Sequence, residues 1–375
     1  MTGRRDSFTR KHTQIAKGIA ILLMVYHHLF VIPERLGNNY TSIINLAGYD
    51  FQSILANFSK ICVGIFLFLS GIGFYYTLIK LDSLKQMYKK VGFHGLKFMT
   101  NYWIIVLLLF PIGLSQGFFK LSVKDITYVF FASYDSVSEW WFVRMYIVIL
   151  ILAPLFIRLF QRISVKKRIA PLIVAFSIWV LLRFLVMFLP TTGLFESIEH
   201  LIIGYLNYFK YFDCIIVFII GLFCARYNFI NYFLREGKKD KVLLSGLFII
   251  SAIIIRVLNS NTPTSMNVDF VVVPMFIIPL TVLLYNTKLS VFLIWFGKHS
   301  TNIWLTHTFW CYYYGQKIVL LPKYSLLIYI WLLILSIVSS YLINLIYVPI
   351  FNLLFTKEHR LCYKNYLFFL KRTNE

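Results

Sequence analysis

A chain of 375 residues with 59% hydrophobic and only 14% charged side chains, and a mean hydropathy of +0.74, is too apolar for a water-soluble globular protein, where about 45–50% apolar and about 25% charged is usual. The composition excludes a soluble enzyme and makes the bilayer-crossing helix the unit of structure. A net charge of +22 raises nucleic-acid binding, but the basic residues gather in short clusters that alternate along the chain, a pattern of membrane topology rather than of a nucleic-acid surface.

Apolar runs long enough to cross a membrane place helices near 15–32, 61–79, 98–114, 140–160, 169–189, 209–227, 242–258, 268–285, 291–311 and 326–354. Basic residues crowd the N-terminal segment, Lys80 to Lys97, Arg158 to Arg168, Arg226 to Lys241 and Lys357 to Arg372, whereas Pro33 to Ser53 carries Arg35 alone. By the positive-inside rule both termini are cytoplasmic. The expected fold is an all-α integral membrane protein of about ten transmembrane helices in one bundle. It forms a single domain over residues 1–375 with no separate soluble part. The first run shows no cleavage site and reads as a retained helix. Ile126 to Ser133 is too short to span and is expected to be interfacial or re-entrant. The stretches 98–140 and 200–212 leave room for further interfacial helices. Tyr102, Trp103, Trp140, Trp141, Tyr205 and Tyr208 fall at expected helix ends, as aromatic belts do. Cys62, Cys214, Cys224, Cys311 and Cys362 have no metal-ligand or redox spacing, so neither disulfides nor a metal site is expected.

Within the first apolar run stand two adjacent histidines, His27 and His28. A titratable side chain in a membrane helix is either a core residue hydrogen-bonded to its neighbours or a functional group. Lys17 lies eleven residues before His28. At about 100° per residue this is about three turns plus 20°, so both share one helix face about 16 Å apart. His27 points about 100° away. A neutral imidazole can take and return a proton near neutral pH, so His28 is the candidate general base and His27 its neighbour.

The basic segment from Lys80 to Lys97 leads into the third run, with His94 and Lys97 three residues apart and Asn101, Tyr102 and Trp103 following. Such cations either hold phosphates by charge and hydrogen bonds or face anionic lipid. Lys60, Arg144, Arg183, Asp213 and Arg256 are isolated charges in apolar surroundings that must pair or face water. Glu139, Trp140, Trp141 and Arg144 cluster at one expected outer end, where aromatic faces with a carboxylate suit carbohydrate and belt packing is the other reading. His307 is a second deep imidazole, following Lys298, His299, Ser300, Asn302 and Trp304. Phe68 to Gly73 supplies small residues for helix packing.

KGIAILLMVYHH, FLFLSGIGF, the basic segment before NYW, WWFVRMYIVILILAP and FGKHSTNIWLTHTFW follow one another in the order found in the acyltransferase 3 family, which the chain resembles over essentially its whole length. Members are bacterial multi-pass proteins that acylate sugars of surface polysaccharides, mostly with acetyl from acetyl-CoA. The resemblance implies that His28 is the catalytic histidine and Lys17 the basic residue eleven positions earlier, usually arginine. Two arginines spaced by two residues in the family's basic segment correspond here to His94 and Lys97. That departure matters, because lysine is a point charge and histidine is often neutral. Some relatives carry an additional hydrolase-like domain outside the membrane; this chain is expected to act alone or with a separate polysaccharide-assembly partner.

The resemblance implies a multi-pass O-acetyltransferase of the bacterial cytoplasmic membrane. Acetyl-CoA is its co-substrate and no metal is required. The acceptor is a lipid-linked or polymeric saccharide, with membrane lipids around it and no nucleic acid. Lys17, His94 and Lys97 would hold the nucleotide phosphates, His28 would deprotonate the acceptor hydroxyl, and His307 or Arg144 would stabilise the oxyanion. His27, Glu139 and Trp141 are further candidates for substrate contact or support. The alternative is a transporter or flippase of lipid-linked saccharides, although such proteins often show matched internal repeats and none is visible here.

Overall fold

The first helix, α1 (Arg10–Phe30), begins where Thr9 caps it. The Thr9 hydroxyl accepts from the His12 amide, and the His12 ring accepts from the Thr9 amide, so the first turn starts with its orphan donors matched. The computed structural model describes residues 8–39, 41, 45–46, 49–119, 122–132, 137–163, 166, 170, 172–174, 176–177, 180–181, 212–234, 238–259 and 268–354.

Helices follow as α2 (Phe51–Ser59), α3 (Ile61–Leu78), α4 (Leu84–Ser115), α5 (Val123–Phe130), α6 (Trp141–Arg162), α7 (Phe212–Arg226), α8 (Asn231–Leu234), α9 (Lys238–Leu258), α10 (Asp269–Leu284), α11 (Leu289–Cys311), α12 (Gln316–Val319) and α13 (Ser325–Leu354). Among the described residues the only paired strands form a two-residue antiparallel ribbon, Asn45–Leu46 with Tyr49–Asp50. Five helical segments are long and apolar enough to cross a membrane: Phe51–Leu78, Leu84–Ser115, Trp141–Arg162, Asp240–Leu258 and Ser325–Leu354. Cys214–Arg226 and Asp269–Leu284 are shorter apolar helices. At 21 and 23 residues, α1 and α11 span about 32 and 35 Å, but polar side chains interrupt their apolar faces. Of the expected span 169–189, residues 170, 172–174, 176–177 and 180–181 are helical. Its remainder, Arg183 included, lies outside the described residues, as do Tyr205, Tyr208, Cys362 and the C-terminal basic cluster.

The third run, expected near 98–114, begins much earlier: α4 starts at Leu84, so His94 and Lys97 stand on a continuous helix that reaches Ser115. Ser83 caps it by accepting from the Gln86 amide, and the Leu, Lys, Gln and Met residues of the first turns are strong helix formers. The approach to α3 is also helical, with α2 packed on α1 and Lys60 at the α2–α3 junction. The first part of the short 126–133 segment is helical, as α5 runs to Phe130, and it is tied down by belt residues, since the Tyr102 hydroxyl donates to the Val129 carbonyl at 2.7 Å and Trp103 Nε1 to that of Phe130 at 2.8 Å.

Helix α11 is largely buried from Phe296 onward, and α1 is its closest packing partner. A Cβ at Gly18 would strike the Leu293 carbonyl oxygen, and one at Gly297 that of Gln14. The two backbones therefore touch around this crossing, the close approach that small residues permit in membranes. Replacing Gly18 by Val is expected to push α1 off α11 and lower the melting temperature of the detergent-purified protein. Gly246→Ala in α9, where an added Cβ meets nothing within 4 Å, is expected to be neutral or stabilising by about 0.5–1 kcal/mol. Equal melting temperatures for Gly18→Val and wild type would contradict the close crossing.

Candidate functional site

His28 on α1 and His307 on α11 each lie ten residues beyond the crossing glycine of their own helix, or about 15 Å. The helices run in the same sense and carry their imidazoles to the same level. The His28 and His307 rings meet with centroids 5.0 Å apart at 87°. His28 is in the last turn of α1 and His307 in the penultimate turn of α11. The pair thus sits toward one end of the bundle, nearer a mouth than the middle of the first apolar run suggests.

Each histidine has a different orientation. His27 Nδ1 donates to the Ala56 carbonyl on α2 at 2.8 Å, and its ring stands edge-on to that of His28 with centroids 5.3 Å apart. His307 Nδ1 lies 2.8 Å from the Trp304 carbonyl and 3.0 Å from that of Ile303. Carbonyls only accept, so Nδ1 carries the proton and the neutral ring presents a lone pair at Nε2. That Nε2 is buried and takes no hydrogen bond from a protein group.

Beyond the imidazoles, Tyr312 follows α11 and lays its ring 6.0 Å from that of His28, while its hydroxyl donates to the His28 carbonyl. Arg35 covers the other side of Tyr312, with its guanidinium 4.2 Å from the ring centroid, and pairs at 3.8 Å with Glu139. Glu139 is nearly buried, and its Oε2 takes no hydrogen bond from a protein group. Trp140 fixes this edge to α11 by donating from Nε1 to the Leu305 carbonyl at 3.2 Å. The result is a half-open mouth with an arginine, a carboxylate and an aromatic ring above the imidazole pair. Trp141 packs edge-on to Phe142, so Glu139 is grouped with Arg35 and Tyr312 rather than with Trp141. Arg144 is buried in the first turn of α6.

The other end of α1 is cationic. Lys17 and Lys97 interact electrostatically, and His94 interacts with Lys17, Lys97 and Lys90. The three sequence candidates from two distant segments are thereby gathered at one place. His94 Nε2 hydrogen-bonds the Tyr146 hydroxyl at 2.8 Å, and Lys97 lies over the Phe351 ring. This brings α1, α4, α6 and α13 together around the cations.

A second charged group adjoins His27. Arg256 Nε and Asp269 Oδ1 are 3.2 Å apart with side chains 0% and 1% exposed, and Lys60 interacts with both. Sequence reasoning flagged Lys60 and Arg256 but missed Asp269. The available signal was that Asp269 is the sole acidic residue between Asp240 and Glu358. It also missed Arg35 as a site residue, although Arg35 is the lone cation of its stretch, and Tyr312, which had no signal beyond lying five residues after His307.

Membrane-length helices that carry buried imidazoles between a cationic end and a polar mouth define a membrane protein built for polar chemistry. The sequence model of the acyltransferase 3 family, described as an acyltransferase domain, matches residues 14–345. The chain belongs to this family, and it is a membrane acyltransferase. No curated protein and no solved structure matches it.

Breaking one side of a buried ion pair leaves a charge stranded, at a cost of about 3–5 kcal/mol. Asp269→Asn is therefore expected to lower the melting temperature strongly. The double replacement Arg256→Met with Asp269→Leu should regain most of the loss. A double variant no more stable than Asp269→Asn would refute the pairing.

Proposed function

We propose that the protein is an O-acetyltransferase of the bacterial cytoplasmic membrane. It moves acetyl from cytoplasmic acetyl-CoA to a sugar hydroxyl of a cell-envelope polysaccharide or of its lipid-linked precursor. The reading treats residues 1–375 as one membrane domain with both termini cytoplasmic, as the alternation of basic clusters supports. The single observation that carries it is the pairing of His28 with His307 at 5.0 Å, on the helix whose other end holds Lys17 among His94 and Lys97.

The nucleotide phosphates sit on Lys17, Lys97 and His94 at the cytoplasmic end, and the thioester reaches inward to His28. The acceptor enters from the mouth formed by Arg35, Glu139 and Tyr312. His28 takes the proton from the acceptor hydroxyl as its oxygen attacks the thioester carbonyl. The tetrahedral intermediate collapses, the carbon–sulfur bond breaks, and His28 returns the proton to the departing thiolate. His307 acts as a positioning residue: its ring packs edge-on against that of His28 at 5.0 Å and limits how the base can turn, the orienting role found at activated nucleophile sites. A neutral His307 has already given its Nδ1 proton to two carbonyls, so it has no donor for an oxyanion, and Arg144 is the better candidate. His27, bound to Ala56, supports the wall.

His28→Ala protein, inserted at wild-type levels, is expected to remove the O-acetyl signal from the NMR spectrum of the surface polysaccharide. Lys17→Gln should raise KM for acetyl-CoA by about tenfold, the effect of one charge-assisted contact, with little change in KM for the saccharide. O-acetylation at the normal rate by His28→Ala would refute the assignment.

A further inference from the structure

Between the cationic end and the imidazoles lies a chain of amides that the scheme above does not use. Asn101 stands on α4 one turn beyond Lys97 and two turns beyond His94, on the same helix stripe. Its Nδ2 donates to Asn302 Oδ1 on α11 at 2.7 Å. Asn302 Nδ2 in turn donates to Asn344 Oδ1 on α13 at 3.1 Å and to the Ser340 carbonyl at 3.3 Å. Asn302 lies five residues before His307, about 7.5 Å toward the cationic end.

The direction of this chain is fixed. The Ser340 carbonyl can only accept, so the nitrogen of Asn302 must face it, and the oxygen of Asn302 faces Asn101. Asn101 must therefore offer its nitrogen to Asn302, which leaves its own Oδ1 turned the other way. That oxygen is buried, on a residue 7% exposed, and takes no hydrogen bond from a protein group. A buried amide carbonyl without a donor is costly, more so where no water-filled surface is near. Three helices thus cooperate to present one acceptor at a fixed point, about 6 Å deeper than Lys97 along α4.

We propose that Asn101 Oδ1 receives an amide N–H of the donor's pantetheine arm, and that the Asn101–Asn302–Asn344 chain sets the depth at which the thioester stops. This inference rests on the acyl-CoA reading above and adds a residue to it. An arm that runs from Lys17 and Lys97 toward His28 and His307 passes this level, and its amides are the donors such an arm carries. An acceptor held on the wall matches an N–H and rejects an ester oxygen in its place.

The test compares acetyl-CoA with an analogue in which ester oxygens replace the amide nitrogens of the arm, using purified full-length protein in proteoliposomes. Wild type is expected to use the amide donor about tenfold better in kcat/KM, the value of one neutral hydrogen bond in a buried site. Asn101→Val and Asn101→Ser should both bring the ratio toward one. The ratio is read within each variant, so a change in the amount of folded protein does not alter it. Wild-type discrimination retained in both variants would overturn the role of Asn101 and leave the acyl-CoA reading standing. A wild-type protein that turns over neither donor would overturn that reading and this inference together.

Discussion

The contact on which the site depends is the backbone-to-backbone crossing of α1 and α11 at Gly18 and Gly297. Lipid offers no hydrophobic force to press two helices together, so close packing of small residues must do it. Because the helices run in the same sense from this crossing, residues equally far along them meet, and His28 faces His307. Larger side chains at the crossing would separate the imidazoles without touching them. The meeting of the two rings is thus set about 15 Å away by the absence of two methyl groups.

Polar groups within membrane-crossing helices are expensive unless matched, and this bundle matches several of them by bonds between helices or within one. His27 gives its proton to α2, His307 gives its own to the carbonyls of its own helix, and Arg256 pairs with Asp269 across α9 and α10. Among the buried polar atoms without a protein hydrogen bond are His307 Nε2, Asn101 Oδ1 and Glu139 Oε2. They lie at successive stations from the cationic end to the mouth: the amide first, then the imidazole, then the carboxylate. A protein that only needed stability would have little use for such a series. An enzyme that guides a long donor from one side and a hydroxylated acceptor from the other has a use for each.

Much of this was legible in the sequence. Apolar runs placed α3, α6, α7, α9, α10, α11 and α13 within a few residues, because bilayer thickness fixes the length of an apolar stretch. The eleven-residue spacing of Lys17 and His28 and the short interval from His94 to Lys97 identified residues that the fold groups toward the two ends of α1. The helical start of α4 was missed because its charges resemble a loop, and hydropathy is silent about a helix that rises out of a membrane. The meeting of His28 with His307 and of Asn101 with Asn302 was not legible, since it joins segments more than 200 residues apart through a crossing that depends on two glycines. Asp269 and Tyr312 were hidden for the same reason: each acquires meaning from a partner on another helix.

The central claim is that acetyl passes from a donor held at Lys17 to an acceptor activated at His28. Its most direct measurement is the release of CoA thiol by purified His28→Ala protein that has been shown to bind acetyl-CoA, with saccharide acceptor present. The account predicts binding close to that of wild type and release reduced by at least about 100-fold, as loss of a general base entails. Release at the wild-type rate from His28→Ala, or failure of the wild-type protein to bind acetyl-CoA, would contradict it.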